Sequence, residues 1–523
     1  MKVTLSAETT SARLLWTAAV FAVAAVVLFG RAMSGEVNVD ENVFIAGPAL
    51  LKSGLLPYRD FHYNHLPTMV LLYAGLFHLT DHLLLAARCC SVVSGAVVVA
   101  VVFHVTFGVL SAFAPRKRLG LAIGAAALLL LNPIFLYASG LAWNHAFPMM
   151  LCLLAFVAMC RGLRGERPSI LMLGLAGALM GLAVTSRLTF APGLLGLLCL
   201  GVLMPGPSIR QKIALAGAFT LGFAASLLPS AWVWAQSPAS AYFGNFQYPA
   251  LNTQYHYETN YVGRFTFNIP QKLLFVFKRL IRFPAYAVAA ALFVVLLCRT
   301  LRWRQITRDR RQCTAFAGAV IAVTLFAGGL VPSPLFRQYL SAHLPFLIVA
   351  AALCLACRPG LATVRFNRVV AAGLVLAAVV GVRHLGGVAT VPFGSRWVPV
   401  QAHRAGVELA LSVNSDIGGV LTTAPLYALE GGEQILVPMT TGRFGVRAAE
   451  YLTDAQKAEY RMGDSDDMLR TFTEHRPPAA VLVAGFDEET DPVFRKAAIA
   501  YGYRYIDLPG KLDLWVHPRE PAG

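Results

Sequence analysis

The chain has 523 residues, 57% hydrophobic and only 14% charged, with a mean hydropathy of +0.61. These values exclude a soluble globular domain and indicate an α-helical polytopic membrane protein. The formal charge of +17 does not point to nucleic acid. Residues 1–384 carry 31 Lys and Arg against 9 Asp and Glu, and residues 385–523 carry 13 against 18, so the excess sits in membrane loops, where it reports topology and lipid headgroups.

Lys2 and Arg13 precede the apolar run 14–30, which is long enough to span and is followed by further spans, so it is expected to be a signal anchor. Spans are expected near 13–31, 84–111, 119–138, 143–160, 169–185, 190–204, 213–235, 283–299, 313–331, 339–357 and 367–384, about eleven in all. The run 67–80 is too short to cross and is read as a helix at the outer interface. That choice places Arg116, Lys117 and Arg118 inside, and with them Arg161, Arg164 and Arg167, Arg210 and Lys212, the basic run from Arg299, and Arg358, Arg365 and Arg368. Five loops then agree on a cytoplasmic N-terminus and a periplasmic C-terminal domain. Lys272, Lys278, Arg279 and Arg282 break the rule on the outer side, beside Arg187, Arg264 and Arg337. They either snorkel at helix ends or meet an anionic headgroup.

After His384 the pattern changes. Short β-rich runs from Gly418, Gln434, Ala479 and Tyr503 alternate with helical stretches near 400–413, 448–460, 465–475 and 491–502, which indicates a small α/β domain over 385–523. It contains no GxGxxG, P-loop, nucleophile elbow or HExxH. All nine cysteines fall in or beside apolar segments, and the Cys354/Cys357 pair lacks a second ligand pair, so core packing is the reading.

The chemistry-bearing stretch is the first outer loop, 32–83. Only nine acids precede residue 385, and Asp40, Glu41 and Asp60 stand together here. Scarce ionisable groups near a bilayer are functional candidates. The bland alternatives are that Asp40 caps the helix after it and that Asp60 pairs locally with Arg59. Histidines 62, 65, 78, 82 and 145 invite a zinc reading, though scattered outer-loop histidines are usually only polar; Mg or Mn on Asp40 and Glu41 is the other metal option left open. The aromatic loop from Tyr242 is either an interface belt or a lid over the site.

The motif N-x-D-E-x5-G-P-x-L-L-x3-G-L-L-P-Y-R-D-F-x-Y-x-H-L-P, from Asn38, resembles the first outer loop of the GT-C glycosyltransferases, in the branch with protein mannosyltransferases and lipid A aminoarabinose transferases. Arg88 in an A-A-R context, Asn132-Pro133, and R-Q-Y at Arg337 to Tyr339 also match. The resemblance implies a GT-C-like membrane domain over 1–384. It also implies an inverting glycosyltransferase that moves a sugar from a polyprenyl-phosphate donor to a periplasmic lipid, glycan or protein at the inner membrane. Asp40 would be the base and Glu41 would orient the acceptor or a metal. Arg59, Asp60, His65, Arg88, Arg187, Arg264, Arg337 and Tyr339 are candidate substrate contacts. Where many members have a Lys-Pro-Pro-Leu-like segment, this chain has His65-Leu66-Pro67-Thr68, so His65 or Arg59 would take over the basic contact. A non-catalytic scaffold of envelope polysaccharide assembly and a lipid-linked sugar flippase are the alternatives. The flippase is disfavoured by the scarcity of polar residues deep in the spans and of inverted repeats.

Overall fold

The structure is a computed structural model that describes residues 7–164, 168–260, 266–474, 477–510 and 512–518. Arg167 and Arg264, named above, lie outside the described residues. Each expected span falls on helical residues, 119–138 on two helices rather than one. Among the described residues, six helices are long and apolar enough to cross a membrane, and up to eight if two bent pairs each count as one. Ala146–Gly162 and Ile170–Ser186 have 17 residues each, about 26 Å at 1.5 Å per residue, short of the roughly 30 Å hydrocarbon core. Length alone therefore does not reach eleven.

Two bends have sequence causes. The expected span 119–138 is split into Pro115–Leu130 and Pro133–Ser139, bent by 68°, because Asn132 adopts extended backbone before a proline and its Oδ1 accepts the Ile134 N–H at 2.9 Å, starting a new helix. Phe283, likewise extended before Pro284, turns Ile269–Arg282 into Pro284–Thr300 at 107°. The first of that pair carries the anomalous outer basic residues. One of them, Lys272, is buried and donates to the carbonyls of Leu330 (2.7 Å) and Val331 (3.3 Å) at the end of helix Arg310–Leu330, where a cation suits the helix dipole.

Helix Leu344–Cys357 is apolar on every side and almost wholly buried, as the centre of a bundle must be. Small residues set the close crossings: a Cβ on Gly177 would fall 2.8 Å from the Phe219 carbonyl carbon in helix Ile209–Gln236. Arg13, Arg118, Arg161 and Arg164 gather at one end of the bundle. The opposite end of the first helix, Ala7–Ser34, leads into helix Val39–Lys52 and, after a turn, the ten-residue helix Thr68–Phe77.

The C-terminal unit packs on that same end. Its sheet orders four strands β1 (Val420–Thr422), β2 (Ala480–Val483), β4 (Leu512–Val516) and β3 (Arg504–Leu508), with β1 parallel to β2 and the remaining pairs antiparallel. The expected strand from Gln434 is a single bridge, Val420 to Ile435, because Pro438 follows at once and has no N–H to extend a ladder. The expected helix 448–460 is two, Arg443–Ala449 and Asp454–Tyr460, the second started by a Thr453–Gln456 capping box. Packing onto the first helix continues past His384, since the turns 382–390 lie against Gly30. Val43, Leu50, Tyr58 and Phe61 of the first loop share one apolar core with Leu409, Val420, Ala428 and Leu514. Polar ties cross the joint as well, among them Leu426 N–H to Asn42 Oδ1 at 3.2 Å and Leu84 N–H to Glu430 Oε1 at 2.6 Å.

Candidate active site

Helix Val39–Lys52 begins at Asn38, whose side chain accepts the Asp40 N–H at 3.0 Å while Glu41 Oε2 accepts the Asn38 N–H at 2.8 Å. This is a capping box. Asn38 is therefore the cap, and the capping role considered for Asp40 falls to it, leaving Asp40 within the first turn, where a negative charge suits the helix dipole.

Asp40 and Glu41 are treated oppositely. Glu41 is fully buried, and both its oxygens are taken: Oε1 by Arg88 Nε (2.8 Å) and the Ala142 N–H (2.7 Å), Oε2 by Arg88 Nη2 (2.6 Å) and the Asn38 N–H. Arg88 in turn uses its remaining hydrogens on the carbonyls of Ala32, Gly35 and Glu36, the end of the first helix. This pair ties three elements together and has no donor or acceptor left for substrate.

Asp40 is half-buried, and no described residue gives its carboxylate a hydrogen bond or ion pair. The surrounding protein pushes its carboxyl up from the usual carboxylate range; Arg443 and Arg187 pull it down and Glu41 pushes it up. Arg187 stands at the turn after helix Ile170–Ser186. It is aimed by Nη1 to Asn144 Oδ1 (2.6 Å) and Nε to Thr189 Oγ1 (3.1 Å), and its guanidinium lies 4.9 Å over the Tyr339 ring. Arg443 comes from the C-terminal unit, where Nη1 is fixed on the Phe486 carbonyl at 2.7 Å. Tyr248, close enough to feel the Asp40 charge, donates to the Phe444 carbonyl at 3.4 Å.

The remaining candidates divide. His65 lies near Arg187, stacked on Phe44 at 4.7 Å, but burial and then Arg187 push it down to about 3, so it is neutral and offers a phosphate no charge. Arg59 and Asp60 form a bidentate pair (2.9 and 2.7 Å) on an exposed turn, where Asp60 also accepts the Leu56 N–H; neither acts on Asp40. Arg337 lies 3.6 Å over Tyr137, whose hydroxyl accepts from Asn38 Nδ2 at 3.1 Å, and it shares a basic face with the exposed Arg282 and the half-buried Arg31 and Arg279.

No described group of three His, Cys, Asp or Glu could hold a metal ion. At Asp40 the donor set does not fit a divalent cation, because Glu41 is saturated and the one remaining carboxylate already lies in the field of the Arg443 and Arg187 charges. Arg443 escaped the sequence reading: the tail carries no motif, and only the docking of the two units brings it to Asp40.

No protein-family model and no curated protein matches the chain. Solved structures do. The chain is similar to ArnT from Cupriavidus metallidurans bound to undecaprenyl phosphate, at 16% identity and TM-score 0.59 over 97% of this chain and 99% of that one. It is also similar to the Archaeoglobus fulgidus oligosaccharyltransferase tethered with an acceptor peptide, at 13% identity and TM-score 0.51 over 97% and 75% of the two chains. The chain thus shares the fold of these two solved proteins along nearly its whole length, and its apolar helices are those of a multi-pass membrane protein.

Proposed function

We propose that the chain is a GT-C glycosyltransferase that moves a sugar from a polyprenyl phosphate to a lipid, glycan or protein acceptor on the Asp40 face of the membrane. The observation that carries this reading is the contrast at the start of one helix: a saturated carboxylate, Glu41, fixes the backbone, and the next carboxylate, Asp40, is left open between two cations from different units.

A sugar on a prenyl phosphate already has a good leaving group, so little acid catalysis is needed. The acceptor oxygen attacks the anomeric carbon as its proton passes to Asp40, and the bond to phosphate breaks, with the electron pair leaving on the phosphate. A carboxylate pushed up from its usual range is the stronger base, and prepositioned guanidinium groups stabilise the charge growing on the phosphate. Arg187 holds that phosphate, and the face of Arg31, Arg282 and Arg337 draws the headgroup from the leaflet. Direct displacement inverts the anomeric centre. Two neighbours with this fold support a lipid-phosphate donor, since ArnT carries undecaprenyl phosphate and the archaeal AglB carries dolichol-phosphate with an inhibitory peptide. The basic loops gathered at the opposite end support a cytoplasmic N-terminus and a periplasmic C-terminal unit in an inner membrane. The test is sugar transfer in membranes from cells expressing Asp40→Asn. Transfer is expected to fall at least 100-fold, with the labelled polyprenyl-phosphate sugar accumulating; full activity would remove Asp40 as the base.

A further inference from the structure

Helix Ile269–Arg282 leaves one face open. Its start is set by the Asn268–Gln271 capping box. Its roll is set by Val276, which is buried, and by Lys272, whose Nζ donates to the carbonyls that end helix Arg310–Leu330. With that side held against the bundle, Ile269, Leu273, Leu274, Phe277 and Ile281 lie on the open side, each between 49% and 69% exposed. At 3.6 residues per turn the five fill one sector of about 140°. Lys278 and Arg282 are exposed along one edge of that sector. A single exposed apolar residue needs no explanation, but a contiguous apolar face edged by charge marks contact with another phase.

The bend at Phe283 identifies that phase. Helix Pro284–Thr300 runs inside the bundle against helices Leu344–Cys357 and Val364–Gly381, and helix Ile269–Arg282 meets it at 107°. A helix that turns almost at right angles into a membrane-embedded one lies across the bilayer surface, at the level where headgroups meet acyl chains. The apolar sector there reaches hydrocarbon, and the long side chains of Lys278 and Arg282 reach headgroup height.

We infer that helix Ile269–Arg282 is an interfacial helix that binds anionic phospholipid of the leaflet on the Asp40 side, its apolar sector among the upper acyl chains and Lys278 and Arg282 on headgroup phosphates. The inference rests on this helix alone and is independent of the proposed transfer reaction.

The test is hydrogen exchange of residues 269–282 in the full-length protein, one copy per nanodisc, in phosphatidylcholine alone and with part of it replaced by phosphatidylglycerol. Exchange should slow roughly 10- to 30-fold with phosphatidylglycerol, about fivefold for each of two bases near an anionic surface. Lys278→Gln with Arg282→Gln should abolish that difference, and Leu274→Ser with Phe277→Ser should speed exchange in both lipids. Unchanged exchange of helix Leu344–Cys357 shows that each variant is folded. Equal rates for the wild type in the two lipids, or a difference that survives the charge variant, would mean that the helix does not recognise anionic lipid. An apolar variant that exchanges as the wild type does would mean that the helix is not seated in the bilayer. Protection that appears only in discs holding two copies would give the face to a second copy of the chain and overturn the inference.

Discussion

Phe243 lies flat on Tyr460, the ring centroids 4.0 Å apart and the planes 10° from parallel. One ring belongs to the aromatic segment after helix Ile209–Gln236 and the other to the C-terminal unit. The same segment sends Tyr255 to Glu489 at 2.5 Å and receives Tyr451 on Glu258 at 2.7 Å. The segment is therefore clamped over the Asp40 side by contacts that do not reach Asp40. A stacked pair contributes about 0.5–1.5 kcal/mol beyond burial, so Tyr460→Ala should speed opening of residues 243–258 several-fold to about tenfold. Hydrogen exchange of that segment checks this, with Tyr505→Ala on the exposed face of the sheet as the silent control; equal exchange in both variants would remove the clamp.

The two carboxylates at 40 and 41 make separable predictions. Asp40→Asn should leave the melting temperature within a degree or two and cost 10²- to 10⁴-fold in transfer, the usual range for losing a general base. Arg88→Met should instead cost about 3–5 kcal/mol of stability, because Glu41 stays buried as an uncompensated charge. Adding Glu41→Gln to Arg88→Met should recover part of that loss, since the stranded charge goes with it. The double-mutant cycle reads this coupling; strict additivity would mean the pair does not act as one unit.

Much of this was legible in the chain. The apolar runs and the basic loops located the helices and sorted their ends, because membrane burial and loop charge act locally along the sequence. The acidic motif from Asn38 marked the loop that holds the candidate site for the same reason. The division of labour within it was not legible. The resemblance gave Glu41 a role toward the acceptor or a metal, and it is Arg88, 47 positions on, that locks this carboxylate away from both. Arg443 was invisible because docking of the C-terminal unit depends on apolar contacts scattered from Val43 to Leu514. The bend at Asn132 carried a readable sign, a capping residue before proline inside an apolar run, and was still absorbed into one span.

Glu430 should make the joint between the units pH-sensitive. Its carboxyl is buried between the Leu84 N–H and His403 Nδ1 (2.9 Å), and burial pushes it up to about 8. A carboxyl raised on folding contributes stability that is full below its unfolded value, near 4.5, and is lost as pH rises through about 8. Melting temperature should therefore fall over that interval from this group. Glu430→Gln keeps an acceptor for Leu84 and cannot ionise, so its curve should be flatter; parallel curves for the variant and the wild type would place the pH response elsewhere.

The pH dependence of transfer should expose the cross-unit contact at the site. Asp40 must be ionised to accept a proton, so activity is lost on the acidic side as its carboxyl titrates. Burial sets that limb above the usual aspartate range, while Arg443 and Arg187 hold it down. Removing Arg443 relaxes one of those pulls. Arg443→Gln should thus move the acidic limb of kcat/KM to higher pH and leave the plateau at alkaline pH much less affected. Arg187→Gln should move the limb the same way and also lower the plateau, because Arg187 holds the departing phosphate as well. Arg495→Gln, which lies against Asp513 on the far sheet, should do neither. An unmoved limb in Arg443→Gln would mean that Asp40 does not carry the titration, and a limb moved equally by Arg495→Gln would reduce the effect to net charge.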